Sequence, residues 1–360
     1  MAVTPKLDRE DSALLTRVMI LGAQTALPVE LSGTELMRLI GVIYRDTDNT
    51  EKLQSQIASK IVPDADYYEI ESDWFSERFT LTEHDHVSLF HAAKRDIPDF
   101  VTYLRCLSEL HKRRLKYLRI LKSQPIPKMI QISPRALLEY GGMDVEALGS
   151  WITWRKWFFD LDNRSGQESG YLFEPILANA LGGEPASAKH SPIRRAADKT
   201  KRRQVDCVIV KTDGTKLAYE FKLRVTIAAS GQGRFSEETD FANDCRNSGY
   251  QPVLVVLDPT PNHRLSDLET AFRDAGGYAY TGDAAWEHLE QEAGATMARF
   301  IERYVRKPIR EVSAYEGKLR DFAANRKADG NIELLIGDVT KLILRDEDAS
   351  LESGGSTDEE

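Results

Sequence analysis

Two acids and a lysine stand close together in a stretch of the chain that ends at Lys222. Asp206 lies in one short apolar run, Glu220 and Lys222 lie in a second, and an Asp-Gly pair separates the two runs. Side chains two residues apart on a strand point to the same face of a sheet, so Glu220 and Lys222 share a face. The pattern therefore predicts a β-hairpin that carries two carboxylates and an ammonium group.

The length of the hairpin turn decides which residue faces Asp206. A two-residue turn opposes Asp206 to Phe221 and sends its carboxylate to the other face of the sheet. A three-residue turn that ends at Gly214, with this glycine in the left-handed conformation, opposes Asp206 directly to Glu220. We predict the second register, which places both carboxylates beside Lys222.

The apolar residues that flank the acids do not alternate with polar ones, which is typical of strands buried on both faces. These residues are Val208, Val210, Leu217, Tyr219 and Phe221. A charged hairpin at the edge of a sheet is the structural alternative, but exposed edge strands alternate. We therefore favour a functional site over a surface hairpin.

Neighbouring carboxylates raise each other's pKa unless a cation lies between them. Oxygen ligands favour a hard divalent ion, so we expect Mg²⁺ as the cofactor rather than zinc. Lys222 is then placed to orient a water nucleophile or to neutralise charge that develops on a phosphate. No nucleotide cofactor is expected, because the chain has neither a Gly-x4-Gly-Lys-Ser/Thr pattern nor a complete dinucleotide fingerprint.

At these residues the chain resembles the PD-(D/E)xK nuclease superfamily. Asp206 matches the first acid, and Glu220-Phe221-Lys222 matches the second acid, the spacer and the lysine. The one departure is Val205, which stands where the superfamily's name has proline. The resemblance implies a mixed α/β sheet flanked by helices and a catalytic role for the two acids and the lysine.

Glu174 matches, by its order and context, an additional metal-site glutamate that this superfamily often places on a helix before the hairpin. Pro175 fits only the first turn of a helix, so Glu174 is expected near the helix start. A glutamate at that position also complements the helix dipole, which is the structural alternative. Glu168 is the second choice for the same role.

The residues from Tyr219 to Phe235 resemble the ApaLI-like group of type II restriction endonucleases, and the resemblance covers roughly residues 165–310. It implies a Mg²⁺-dependent endonuclease that cuts double-stranded DNA at a short palindrome, as a homodimer. A repair or structure-specific nuclease of the same fold is one alternative. A DNA-binding module without catalytic activity is another.

A basic segment, residues 189–203, comes immediately before the hairpin and holds seven bases and one acid. Its position favours contact with DNA phosphates over a solvated loop. The residues that we expect to bind DNA here are Arg194, Arg195, Lys201, Arg202 and Arg203. After the hairpin, Arg224, Gln232 and Arg234 have the donors and acceptors needed to read base edges.

The fold class predicted for the chain is α/β, with a mixed-sheet nuclease core flanked by helices and a largely helical N-terminal region. The predicted divisions are a helical region (1–160), the core (161–310), a helical and strand extension (311–345) and a disordered acidic tail (346–360). The tail holds seven acids and no base, so it carries most of the net charge of −9.

Apolar spacing predicts helices over Ala13–Leu27, Thr34–Tyr44 and Pro98–Leu121, the last with basic residues mostly off its apolar stripe. A helix over Ser236–Asn247 then leads into an apolar run from Pro252, which indicates a crossover to a parallel strand. The tryptophans at 151, 154 and 157 are expected to pack in a core.

The composition favours a globular protein of the cytoplasm. Hydrophobic residues make up 41% of 360 residues, which is enough for a full core. No apolar run approaches the ~20 residues of a membrane span, and the first residues lack a signal-peptide core. The three cysteines have no metal-like spacing, as expected in a reducing compartment.

Overall fold

A computed structural model gives the positions of most of the chain, arranged as two compact units. The residues described are 6–21, 28–80, 82–129, 136–169, 173–222, 232–258, 260, 263–315, 317 and 319–346, without the side chains at 21, 83–84, 167–169 and 232–235. Unit 1 comprises Met1–Ser12, Ser32–Glu109 and Leu172–Ala314, and unit 2 comprises Ala13–Leu31, Leu110–Tyr171 and Tyr315–Glu360.

Thirteen α-helices occur among the described residues. They are α1 (Arg9–Met19), α2 (Gly33–Asp46), α3 (Ser55–Ile61), α4 (Ser72–Ser76), α5 (Glu83–Asp96), α6 (Phe100–Ser123), α7 (Ala136–Glu139), α8 (Val145–Ser169), α9 (Glu174–Ala180), α10 (Gln232–Asn247), α11 (His263–Asp274), α12 (Asp283–Ile301) and α13 (Lys307–Ser313). Short 3₁₀ turns cover Thr50–Lys52 and Tyr67–Glu69, and a π-helical turn covers Glu302–Arg306.

The strands form three sheets. They are β1 (Ile20–Leu21), β2 (Val29–Glu30), β3 (Glu184–Ala186), β4 (Val205–Val210), β5 (Lys216–Lys222), β6 (Gln251–Val256), β7 (Tyr278–Thr281), β8 (Phe322–Arg326), β9 (Ile332–Ile336) and β10 (Val339–Ile343). The sheet orders are β1-β2, β3-β4-β5-β6-β7 and β10-β9-β8.

The five-stranded sheet of unit 1 is mixed, as predicted. Strands β3, β4 and β5 pair antiparallel, whereas β5, β6 and β7 pair parallel. Strand β4 runs opposite to β5, so its first residues lie at the edge where the parallel strands end. Functional groups of open α/β sheets gather at this carboxyl edge.

Helices contact both faces of this sheet, which explains its apolar strands. Ala218 of β5 and Leu254 of β6 belong to one core cluster with Phe241 of α10 and Phe272 of α11. Tyr219, the residue after Ala218, points to the opposite face of the sheet. Its ring stacks on His288 of α12, with ring centroids 5.8 Å apart. The even-numbered residues of β5 therefore face α10 and α11.

Unit 2 contains an antiparallel three-stranded meander, β8 to β10. Ile332 and Ile343 of this sheet share a core cluster with Trp157 and Leu161 of α8. Trp157 is fully buried and Trp154 is half-buried, as predicted for core tryptophans. The prediction was wrong for Trp151, which is 48% exposed and donates from its ring nitrogen to Glu139.

One predicted helix is confirmed, and two others differ from the observed helices. The helix over Thr34–Tyr44 is confirmed as α2, which Ser32 caps by accepting from the backbone nitrogen of Glu35. The first predicted helix instead ends at Met19, because Ile20 and Leu21 pair with β2. The crossover helix α10 starts at Gln232, so Ser236 lies inside it rather than at its cap.

Burial also corrects two expectations. Leu217, Tyr219 and Phe221 are buried, but Val210 is 61% exposed because it lies at the turn end of the hairpin. On α6, Lys112 is fully buried and donates to the backbone oxygen of Ile20, so this base is not on a solvated face. Lys116 is also fully buried.

Two further features bear on the sequence analysis. Cys106, Cys207 and Cys245 are all buried and free. Among the helices that the structure describes, none combines the length and the apolar character needed to cross a membrane.

Candidate active site

The hairpin of β4 and β5 has the predicted register. Cys207 pairs with Tyr219 and Ile209 pairs with Leu217, which places Asp206 next to Glu220 beyond the last paired residues. The turn has three residues and ends at Gly214, whose φ of 88° is the left-handed conformation that favours glycine. A one-residue slip would have turned Asp206 to the other face.

Asp206 is half-buried at the carboxyl edge of the sheet. Its Oδ2 atom accepts a hydrogen bond of 2.8 Å from the backbone nitrogen of Phe221, which extends the hairpin by one bond. Burial, followed by the charges of Glu220 and Glu174, raises the pKa of Asp206 well above its usual range. The hydrogen bond from Phe221 opposes this shift without cancelling it.

Lys222 contacts two carboxylates from two different elements. Its Nζ atom lies 2.7 Å from Oε1 of Glu220, on the same strand, and 3.2 Å from Oε1 of Glu238, on α10. Burial opposes the charge of the Lys222 ammonium, but Glu220 and Glu238 together raise its pKa above the usual value. The lysine is therefore held as a cation at the edge of the sheet.

Glu174 is the first residue of α9, as predicted, and Pro175 follows it in the first turn. Burial raises the pKa of Glu174 to about 7, the charge of Glu220 adds to this increase, and the charge of Lys222 opposes it. These couplings show that Glu174, Asp206, Glu220 and Lys222 form one electrostatic cluster.

The chain just after α9 approaches strand β4 closely. A Cβ atom at Gly183 would lie 2.3 Å from Sγ of Cys207 and 2.7 Å from Cγ1 of Ile209. Such distances are far shorter than van der Waals contact, so only glycine allows the chain to pack here. The segment that follows α9 is therefore packed against the first strand of the hairpin.

The cluster carries more negative than positive charge. Four acids surround one lysine, and the second oxygen of Glu238, Oε2, is buried without a hydrogen-bond partner among the described residues. The acids are Glu174, Asp206, Glu220 and Glu238. All of their ligand atoms are carboxylate oxygens, which is the donor set that Mg²⁺ prefers, so the residues fit a divalent cation.

The carboxylates are not yet arranged as a complete ligand shell. Within the described ranges, no three or more Asp, Glu, His or Cys side chains have the spacing of metal ligands. Lys222 engages one oxygen of Glu220, and the backbone of Phe221 engages one oxygen of Asp206. Small movements of these side chains are therefore needed before they bind a cation together.

The basic segment, residues 189–203, folds back on itself before β4. Arg194 and Arg202 form an isolated antiparallel bridge, and both side chains are exposed. A cavity of about 680 Å³ opens on this segment without an acidic residue among those lining it. The lining residues are Ala188, Lys189, Arg195, Thr200, Lys201 and Arg202. The segment thus presents positive charge to solvent.

Arg203 differs from the other bases of this segment. It is only 8% exposed, and its guanidinium forms ion pairs with Asp244 and Glu237 of α10. Arg195 also pairs with Glu237, at 2.9 Å, but remains partly exposed. The arrangement gives Arg203 a structural contact with α10, whereas Arg194, Lys201 and Arg202 are accessible.

The structure does not describe the side chains of four residues that the sequence analysis named. Arg224 belongs to a segment without description, and the side chains of Gln232, Arg234 and Glu168 are likewise not described. The residue that the sequence did not predict is Glu238. Its only signal was its place among several acids near the start of the crossover helix.

Comparisons with known proteins decide the family. The chain is 49% identical, over 375 aligned residues that cover 100% of both chains, to the type II restriction enzyme ApaLI of Acetobacter pasteurianus. Residues 46–306 match the family described as ApaLI-like restriction endonuclease. The chain belongs to the ApaLI-like restriction endonuclease family. No solved structure matches the chain.

Membership of this family decides among the alternatives left open by the sequence. A restriction endonuclease cleaves DNA at specific sites, so the chain is neither a structure-specific nuclease nor a DNA-binding module without activity. The ApaLI-like match extends well before residue 165, where the resemblance was expected to start. The matched residues also include Glu174, Asp206, Glu220 and Glu238 and the whole basic segment.

Proposed function

We propose that this restriction endonuclease hydrolyses double-stranded DNA at a short palindrome, with Mg²⁺ as cofactor, through a PD-(D/E)xK active site. The observation that carries this proposal is the cluster of Asp206, Glu220 and Lys222 at the carboxyl edge of a mixed sheet. Glu174 completes it from the start of α9.

The proposed metal ligands are Asp206, Glu220 and Glu174. Burial, followed by repulsion from the neighbouring acids, raises the pKa values of Asp206 and Glu174, and a cation would relieve that repulsion. A divalent cation held there would supply positive charge opposite the phosphate oxygens. The three carboxylates would hold this cation and orient it toward the phosphate.

Lys222 is the proposed hydrogen-bond donor and electrostatic partner of the reacting phosphate or of the attacking water. An ammonium group has three donors, and Glu220 and Glu238 engage two of them. The third is available to a phosphate oxygen or to the attacking water. In the reaction, water attacks phosphorus, the bond to the leaving oxygen breaks, and the proton released by water balances the proton gained by the leaving oxygen.

DNA contacts are proposed at the accessible bases of the basic segment, namely Arg194, Arg195, Lys201 and Arg202. Arg203 is left out of this interface because its ion pairs with α10 hold it inside the protein. Arg224, Gln232 and Arg234 remain the proposed base-reading residues, because they follow the catalytic strand directly. The protein is proposed to act as a homodimer, since a palindrome presents the same half-site twice.

The test is an incubation of the purified protein with long duplex DNA, in Mg²⁺ and in EDTA. We expect discrete fragments only with Mg²⁺, and fragment ends that map to one palindromic sequence. Lys222→Ala should abolish the fragments. Lys216→Ala is the matched control, because Lys216 lies on the same strand and face but is exposed at the turn end. Fragments of random length, or equal cleavage in EDTA, would refute the proposal.

A further inference from the structure

Glu238 of α10 is an acid that neither the hairpin motif nor the proposed metal ligands account for. Its Oε1 atom lies 3.2 Å from Nζ of Lys222, and the two side chains are each about one-fifth exposed. The contact joins α10 to the catalytic strand β5. It follows from the face of β5 that Lys222 occupies, because the even-numbered residues of this strand face α10.

The ion pair with Lys222 does not complete the hydrogen bonding of Glu238. Its second oxygen, Oε2, is buried and has no hydrogen-bond partner in the described part of the chain. Buried carboxylate oxygens are normally paired, because an unpaired one costs free energy. The contact of Glu238 with the described residues therefore rests on its Oε1 atom and Lys222.

Adjacent acids of α10 serve different partners. Glu237 contacts Arg195 and Arg203 of the basic segment, whereas Glu238 contacts Lys222. The first turns of α10 therefore hold both the segment proposed to contact DNA and the lysine proposed to contact the phosphate. Glu237 thus connects α10 to the basic segment, and the neighbouring Glu238 connects α10 to Lys222.

Glu220 would share its two oxygens between Lys222 and the metal if it also ligates the metal. A carboxylate that binds a cation has fewer lone pairs left for an ammonium group, and Glu220 is one of the proposed ligands. Glu238 is the second carboxylate in contact with Lys222 and lies on a separate element. It therefore keeps the ammonium in place when Glu220 is shared.

We propose that Glu238 is a positioning residue that holds Lys222 against the reacting phosphate. This inference rests on the proposed catalytic role of Lys222. It places Glu238 behind the lysine rather than in the metal site. Partners of this kind typically contribute ten- to a hundredfold to the activity that they support.

The experiment compares Glu238→Gln with wild type on a duplex that carries the mapped site. We expect the single-turnover cleavage rate to fall about ten- to a hundredfold. The dissociation constant for DNA and the Mg²⁺ concentration at half-maximal rate should each change less than about twofold. Asp240→Asn is the matched control, because Asp240 is exposed on the same helix and loses the same charge.

The outcomes separate this inference from the proposed function. If Lys222→Ala still cleaves, the proposed site itself is wrong. If Lys222→Ala is inactive but Glu238→Gln cleaves within twofold of wild type, only the role of Glu238 is wrong. A rise in the required Mg²⁺ that matches the loss of rate would make Glu238 a metal ligand instead. Glu238→Gln keeps the size of the side chain, and its melting temperature verifies that it folds.

Discussion

Unit 1 contains two clusters of charged side chains that differ in their balance of charge. The site cluster, at the sheet edge, places Glu174, Asp206, Glu220 and Glu238 around Lys222. The second cluster, here called the Asp46 cluster, is built on α2 and the π-helical turn at Glu302–Arg306. In the site cluster four acids surround one base, whereas in the Asp46 cluster tyrosine hydroxyls and arginines contact the acids.

Asp46 shows how the second cluster is satisfied. Its Oδ2 atom accepts hydrogen bonds from the hydroxyl groups of Tyr103, at 2.9 Å, and Tyr304, while its Oδ1 atom lies 3.0 Å from Arg303. Burial raises the pKa of Asp46, and Tyr304, Arg303 and Tyr103 oppose that shift. Asp66 is paired in the same way, with Arg45 at 2.7 Å.

The difference distinguishes an acid held by hydroxyl and guanidinium donors from the acids of the proposed active site. Donors that contact a buried acid favour its charged form and stabilise the fold. Acids that repel one another cost stability in the free protein and are retained where a ligand completes them. Both clusters contain acids with raised pKa values, so the pKa alone does not identify the site.

The largest expected effect is on catalysis at the site cluster. Asp206→Asn and Glu220→Gln should each reduce the cleavage rate by at least ~10³, because several kcal/mol of electrostatic stabilisation are lost at 1.36 kcal/mol per tenfold. Melting temperatures should be equal to or above that of wild type. Single-turnover assays with folded enzyme measure this. Wild-type cleavage by Asp206→Asn would end the catalytic assignment.

The Asp46 cluster should show the reverse behaviour. Asp46→Ala leaves the hydroxyls of Tyr103 and Tyr304 without their carboxylate acceptor and leaves Arg303 with Asp66 alone, so we expect a loss of about 3–5 kcal/mol in the free energy of unfolding. The cleavage rate per folded molecule should change less than about threefold. Asp48→Asn is the control: its ion pair with Arg299 is exposed and should contribute below about 1 kcal/mol, and asparagine tolerates the left-handed backbone at this position (φ 56°). Denaturant unfolding compares the three proteins.

The clusters also bear on what the sequence could predict. The hairpin register followed from local rules, because turn length and the alternation of side chains fix which face Asp206 occupies. Glu174 followed from a resemblance and from the position of Pro175. Glu238 could not be predicted, because its contact with Lys222 depends on where α10 packs against the sheet.

Tertiary packing also explains the errors. The apolar stripe of α6 was visible in the sequence, but the burial of Lys112 depends on the backbone oxygens of Arg17 and Ile20. Pairing of Ile20 and Leu21 with β2 overrode the helical periodicity before it. The Asp46 cluster joins residues more than 200 positions apart, so no spacing in the sequence indicated it.

A smaller effect is expected in the pH dependence of stability in EDTA. Glu174 has a pKa raised from 4.5 to about 7 in the folded protein, so the folded state binds more protons than the unfolded state between these values. Stability should therefore fall as pH rises through this window, by about 1–2 kcal/mol after allowance for partial exposure. Glu174→Gln should flatten the curve. A wild-type slope in Glu174→Gln would contradict the assigned pKa.

The smallest effect concerns salt. Replacing Arg194, Lys201 and Arg202 by alanine should lower the slope of log affinity against log salt by up to about one unit per lost phosphate contact. As the matched control, alanine replaces Arg299, Lys307 and Arg310, which removes the same charge from the Asp46 region, outside the basic segment. Their replacement should leave the slope unchanged. Equal slopes for both triple variants would remove the basic segment from the DNA interface.

The difference between the site cluster and the Asp46 cluster is tested most directly by one measurement. This is the change in melting temperature between EDTA and about 10 mM Mg²⁺ at pH 8. Wild type should gain stability from Mg²⁺. Asp206→Asn should melt at or above wild type in EDTA and gain much less, because one ligand and one repelling charge are gone. Asp46→Asn should melt lower but gain as much as wild type. An undiminished gain in Asp206→Asn would contradict a metal site at the sheet edge.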